Sequence, residues 1–171
     1  MKKIIITGPE SSGKTTLFEQ MTSSYKIHGV NEYAREYIGN LNREYNYLDI
    51  LQIAKKQFEN EQILSSNNPQ FLIADTDLLT LEIWCEFKYK KCHSFILDTL
   101  RNHLPNFYIL CYPDIPWEFD PQRENPKDRI DLFNIYESKI KALGVDYHIV
   151  KGNEQNRFEL SKTIINNITN S

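Results

Sequence analysis

Gly8-Pro9-Glu10-Ser11-Ser12-Gly13-Lys14-Thr15 spaces two glycines, a lysine and a hydroxyl as G-x-x-x-x-G-K-[ST]. Those residue types at that spacing hold phosphate. The glycines supply unusual dihedrals and close backbone approach, and main-chain N–H groups curl around the phosphate oxygens. Lys14 is placed to reach the β- and γ-phosphates, and the Thr15 hydroxyl to join a Mg²⁺ shell. The apolar run Lys2 to Thr7 before the loop suits a buried strand, and Thr15 to Met21 after it can open a helix. Strand, loop, helix is the context that turns this pattern into a phosphate site at a helix N-terminus.

Three further stretches carry residues able to act on a phosphoryl group. Phe71-Leu72-Ile73-Ala74-Asp75 is four apolar residues and then a carboxylate, the way a P-loop protein presents its Mg²⁺-organising Asp. Asp77 lies two residues on, so near a strand end the two carboxylates are expected on one side. There Asp75 would order the metal and Asp77 face an acceptor; capping of the helix that starts at Leu78 is the other role open to Asp77. Asn31-Glu32-Tyr33-Ala34-Arg35-Glu36 offers a carboxylate for a sugar hydroxyl and an arginine for phosphoryl charge. The same residues also read as a solvated helix start with an i,i+3 pair. Pro113 to Arg129 is a long polar loop in which Arg123 and Arg129 can close over a nucleotide as a lid. Trp117 within it can pack the lid or stack on a flat ring.

These groups need a scaffold. Short apolar strands alternate with longer helical patterns, which predicts an α/β domain with a mostly parallel sheet of five strands. The strands fall at Lys2 to Thr7, Tyr25 to Val30, Phe71 to Ala74, Phe107 to Tyr112 and Val145 to Val150. Helical spacing runs from Tyr47, from Leu78 to Phe87, from Phe95 to Leu104, through Phe133 to Leu143, and from Phe158 to Ile168. No repeat or linker interrupts residues 1–171, so one domain is expected, with the lid at about residues 113–129.

Composition excludes some classes. The chain of 171 residues carries a net charge of −3 and no basic tract, which gives no support for a nucleic-acid or anionic-membrane partner. No apolar run approaches a membrane span. Cys85, Cys92 and Cys111 are odd in number and lack metal spacing, so they read as free thiols in a reducing cytoplasm. The first strand follows Met1 directly, so no signal peptide is expected. Oligomeric state has no signature here.

The order GPESSGKTTL, EYAREY, ADTDLLTLEIW and DIPWEFDPQRENPKDR resembles the ribosylnicotinamide kinase domain of NadR-type NAD-biosynthesis proteins, and is similar to their stand-alone relatives known as AAA-type ATPases. The resemblance covers essentially the whole chain. It implies a three-layer P-loop NTPase of the nucleoside and nucleotide kinase kind, with ATP and Mg²⁺ as cofactors. The implied reaction is phosphorylation of nicotinamide riboside to nicotinamide mononucleotide. Carried across, Gly8, Pro9, Glu10, Ser11, Ser12, Gly13, Lys14, Thr15 and Thr16 would hold ATP under a lid containing Arg123 and Arg129. Glu32, Tyr33, Arg35, Asp77 and Trp117 would meet the acceptor, and Thr15 and Asp75 the metal. Lys14, Glu32, Asp77 and Arg123 would be catalytic, with Glu32 and Asp77 both open as the base. One position departs: NadR-type kinases carry a Trp immediately before E-Y-x-R-E, where this sequence has Asn31. Tyr33, Tyr45 and Tyr47 are the aromatics that could stand in. With no H-x-G-H signature and no helix-turn-helix before the first strand, neither nucleotidyltransferase nor repressor activity is expected.

The leading expectation is therefore a small-molecule kinase acting on a nucleoside-like hydroxyl. Another nucleoside-like acceptor, or a regulatory ATPase without a diffusible acceptor, remain the alternatives. No N-K-x-D or L-S-G-G-Q motif points to a GTPase or a transporter ATPase.

Overall fold

The computed structural model describes residues 1–122 and 124–170. Its elements run β1 (Lys2–Thr7), α1 (Lys14–Tyr25), α2 (Tyr33–Gly39), α3 (Tyr47–Ser66), β2 (Phe71–Asp75), α4 (Leu78–Tyr89), α5 (Ser94–Asn102), β3 (Phe107–Cys111), α6 (Arg129–Leu143), β4 (Tyr147–Val150) and α7 (Glu154–Thr169). The strands form one parallel sheet in the order β2-β1-β3-β4. β1 and β2 are covered on both faces, which is why they read as unbroken apolar runs rather than alternating ones. Ile4 and Ile6 face a layer made by Leu17, Phe18 and Met21 of α1 and Ile165 of α7. Ile5 points the other way, into a core built with α3, α4, α5 and α6. The result is the expected three-layer α/β arrangement.

The fifth strand is a correction. Residues Tyr25 to Val30 do not form one. Helix α1 runs on to Tyr25 and ends at Lys26, whose φ of 53° is left-handed. The Ile27 N–H then turns back to Thr22 O at 3.1 Å, so the chain stays on the helix end instead of entering the sheet. Only Val30 reaches the edge, as a single parallel bridge to Ala74, with Val30 N donating to Ile73 O and Asp75 N to Val30 O. That bridge is enough to fix the start of α2 beside the C-terminal end of β2.

The turn is tight because Gly29 lies against Phe18. A β-carbon there would sit 2.4 Å from Phe18 Cε2 and 2.7 Å from Thr22 Cγ2. Gly29→Ala should therefore destabilise the fold by about 1–3 kcal/mol through overpacking. For a domain of this size that lowers Tm by roughly 3–10 °C, measurable by thermal denaturation. An unchanged Tm would mean that the turn after α1 is loose.

Candidate active site

The phosphate loop is shaped by two glycines with different tasks. Gly13 has φ +79° and opens α1. Gly8, at φ +140°, brings its α-carbon so close to β3 that a β-carbon would meet Cys111 O at 2.7 Å. Between them Ser11 also takes a positive φ, 52°. The loop is held from outside by guanidinium groups. Arg157 of α7 is buried and spends its N–H groups on Ser12 O at 2.7 Å, Tyr112 O at 2.8 Å, Gly152 O at 2.8 Å and the Asp114 carboxylate. Arg129 donates to Ser11 O at 3.0 Å and Ile115 O at 2.9 Å. Lys14 Nζ donates to Pro9 O at 2.7 Å. An ammonium has three donors, so two remain for phosphate oxygens. Lys14 is the first residue of α1, whose N-terminal N–H groups and dipole also favour an anion there.

The two aspartates part company. Asp75, the last residue of β2, is buried and accepts from Thr15 Oγ1 at 2.8 Å. Its other oxygen, Oδ1, is buried without a hydrogen-bond partner among the described residues. A hydroxyl and an orphaned carboxylate oxygen are hard donors of the kind Mg²⁺ takes, and the pair fits that ion. No group of three or more His, Cys, Asp or Glu among the described residues could hold a metal unaided. A phosphate-bound Mg²⁺ does not need one, since substrate oxygens and water complete its shell. Asp77 was expected on the same side, and it is not. Thr76 has φ +66°, which breaks the alternation of the strand. Asp77 turns into the core, caps α4 by accepting from Leu79 N at 3.1 Å, and takes the Tyr108 hydroxyl at 2.7 Å. It does not line the cavity.

That cavity, of about 610 Å³, begins at the P-loop and continues toward α4. Glu32 lines it, as do Arg35, Thr80, Trp84, Tyr136 and Glu118. Glu32 is half-buried at the start of α2. Burial first, and then the Asp75 charge, raise its carboxyl above the ordinary 4.5, against the opposing pull of Lys14 and Arg35. Asp75 is also raised, chiefly by burial. A carboxylate raised in this way beside a lysine, as Glu32 is, suits proton transfer. Arg35 is tied to Asp120 of the lid at 2.7 Å.

The lid, residues 113–129, carries no helix or strand among its described residues until Arg129 opens α6. It is folded onto the P-loop. Glu10 accepts from Glu124 N at 3.1 Å and Asn125 N at 2.9 Å, and Ser11 Oγ from Glu118 N at 3.0 Å. Arg123 lies outside the described residues. Trp117 does not line the cavity; the Arg129 guanidinium sits 5.8 Å from its ring centre. Tyr33 and Asn31 line a separate, smaller groove with Glu36 and Asn60. The aromatic walls of the large cavity come instead from Tyr45, Trp84, Phe87 and Tyr136. Trp84, Phe87 and Tyr136 lie in the stretches of helical spacing from Leu78 to Phe87 and Phe133 to Leu143. Thr80, Ile83, Trp84, Phe87 and Lys88 all line the cavity, an i, i+3, i+4 stripe on α4. That spacing was the available signal, although nothing local marks the stripe as facing a cavity. Arg157 had no sequence signal at all.

Asp77 makes a testable case. Burial pushes its carboxyl from 3.8 up to about 6, against the lowering pull of the Tyr108 hydroxyl and Lys3. A raised folded value means stability that is full below 3.8 and lost as pH rises through about 6, on the order of 3 kcal/mol in total. Asp77→Asn keeps the shape and cannot ionise. The Tm difference, variant minus wild type, should therefore grow more positive from pH 4 to 7 and then level off. A flat difference would show that Asp77 does not titrate in that window.

Comparison with known proteins bears on the fold. The trifunctional NAD biosynthesis/regulator proteins NadR of Salmonella typhimurium and Escherichia coli are 23% and 22% identical over 167 and 155 residues. The matches cover 92% and 86% of this chain but 40% and 37% of those proteins, so the chain spans well under half of the curated relatives it matches. A crystal structure of NadR protein in complex with NR superposes with a TM-score of 0.74 at 18% identity, over 99% of this chain and 52% of that one. The deoxyadenosine kinase from M. mycoides, solved with dCMP and dCDP, reaches 0.59 at 15% identity over 96% and 99%. The sequence profile of the AAA domain family matches residues 3–157, so the chain belongs to that family, with the α/β fold of NadR-like P-loop kinases.

Proposed function

We propose that this protein is an ATP- and Mg²⁺-dependent kinase that phosphorylates a hydroxyl of a nucleoside-like acceptor, with nicotinamide riboside as the favoured acceptor. The observation that carries the reading is the single cavity wall that runs from the P-loop, past Glu32, to the aromatic stripe of α4. A switch ATPase needs the first part; only a transferase needs the rest. The likeness in fold to a NadR protein bound to NR supports the same acceptor class. The deoxyadenosine kinase likeness is the reason to keep other nucleosides in the panel.

In this reading the P-loop main chain and Lys14 hold and neutralise the phosphates. Thr15 and Asp75 would hold Mg²⁺, which supplies charge neutralisation on the phosphates when bound. Glu32 takes the proton from the acceptor hydroxyl, and its raised affinity for protons suits it to that task. Asp77 is the poorer candidate for base, with both its oxygens engaged in the core. Arg35 and the lid residue Arg129 contribute positive charge and positioning rather than proton transfer. Closure of residues 113–129 keeps water from competing with the acceptor. Asn31 does not bear on the ring, because it faces the smaller groove. Asn31→Trp should leave the acceptor KM within about twofold, a change too small to reflect a ring contact.

ADP release should be measured with nicotinamide riboside, uridine, cytidine, adenosine and thymidine. Acceptor-dependent release with nicotinamide riboside is expected. Release with a different nucleoside only would replace the acceptor, and release with none would point to a regulatory ATPase. Lys14→Ala should lower turnover at least about 100-fold. Asp75→Asn should weaken activity in a way that added Mg²⁺ partly restores. For Glu32, the acid limb of the kcat/KM profile should lie above pH 4.5 and disappear in Glu32→Gln; a variant with full kcat would remove Glu32 from the mechanism.

A further inference from the structure

At the end of the cavity away from the P-loop, four side chains from three segments meet. Tyr45 belongs to the loop before α3, held in place by the Asn46 and Asp49 capping box next to it. Trp84 and Lys88 lie one turn apart on α4, and Glu124 is on the lid. The Tyr45 hydroxyl accepts from Trp84 Nε1 at 3.1 Å and Lys88 Nζ at 2.5 Å, and donates to Glu124 Oε2 at 2.7 Å. A phenol has one donor and two acceptor positions, so this hydroxyl is fully used. Lys88 Nζ also reaches both oxygens of Glu124, at 2.9 and 3.2 Å, and stands 3.9 Å from the Tyr45 ring centre.

Glu124 is anchored a second time through its main chain. Its N–H, with that of Asn125, donates to the Glu10 carboxylate in the P-loop. One lid residue therefore touches the phosphate end through its backbone and the far rim through its side chain. We propose that Glu124, clasped by Lys88 and Tyr45, is the latch of the lid, a positioning residue that makes closure over the phosphates depend on the state of the acceptor end. The coupling between the two ends rests on the kinase reading above; the latch itself rests only on the contacts described here.

The physical logic follows from what each partner touches. An isolated exposed ion pair holds a loop weakly. Here the pair is joined to a half-buried tyrosine and an indole that itself lines the cavity, and networks of this kind exceed the sum of their pairs. Burial pushes the Tyr45 hydroxyl up to about 12, so it keeps the proton it donates at neutral pH. A ring lying against Trp84 steadies the indole, hence Tyr45, hence Glu124. An empty or misfilled end leaves the latch free to open and admit water to the phosphates.

The test uses Glu124→Gln and Lys88→Met, both at solvent-exposed positions, so that Tm confirms a retained fold. Lid opening is read as the rate of tryptic cleavage after the exposed Lys127. It is read independently as Trp84 emission in a Trp117→Phe background, where Trp84 is the remaining tryptophan. Both variants should be cleaved about fivefold faster than wild type or more and should shift Trp84 emission, since local opening governs such cleavage. In turnover, the fraction of ATP lost to water should rise about threefold, and KM for nicotinamide riboside should rise more than kcat falls. A role limited to stability would lower Tm and leave that partition unchanged. Cleavage rates within about twofold of wild type in both variants would overturn the latch. If none of the acceptors raises ADP release by wild type, the kinase reading fails, while cleavage and emission still decide the latch.

Discussion

A phosphate loop has to keep its main-chain N–H groups pointing inward, and that leaves its carbonyls pointing out. In this protein the outward carbonyls are held by two arginines. Arg157 takes Ser12 O and Arg129 takes Ser11 O. Without such partners the loop would carry buried, unpaired acceptors along with the positive φ of Ser11 and Gly13. The two clamps also bring distant parts of the chain to the loop. Arg157 ties it to the start of α7 and to the end of β3, and Arg129 ties it to the start of α6 and the base of the lid. The loop is thus the point at which both layers of helices and the lid are joined.

Charge is arranged on the same plan. Lys14 is the cation that most restrains the rise in proton affinity that burial gives Asp75 and Glu32. Arg35 assists from α2 and is itself held by Asp120. Lys88 of α4 is likewise paired with a lid carboxylate, Glu124. The buried pair made by Asp77 and Tyr108 shows the opposite solution. It lies beneath the site, in the core, where it fixes the position of α4 and through it the stripe from Thr80 to Lys88.

Much of this was legible beforehand, for a physical reason. The P-loop is a contiguous motif whose chemistry requires a strand before it and a helix after it, so eight residues specify the local structure and the ligand class together. Asp75 was legible on the same grounds: a parallel strand buried on both faces is an apolar run, and its end lies beside the P-loop, where Asp75 takes the Thr15 hydroxyl. The helices with regular apolar spacing fell where their periodicity placed them, with shifts of a few residues at their ends.

What the chain could not declare locally depended on where separate segments meet. The stretch Tyr25 to Val30 has strand-like composition, but the left-handed Lys26 and the fit of Gly29 under Phe18 keep it on the end of α1. Asp77 looked like a second active-site carboxylate until the positive φ of Thr76 turned it into the core. The cavity face of α4 has the same apolar spacing as a core face, because periodicity reports that a side is covered and not by what. Arg157 and Ser12 are 145 residues apart, and no pattern along the chain connects them. By itself, then, the sequence determined the phosphate site and the layered scaffold, since local spacing encodes both; tertiary structure decided which carboxylate reaches the cavity, which aromatics wall it and how the lid is held, since those are contacts between segments far apart in the chain.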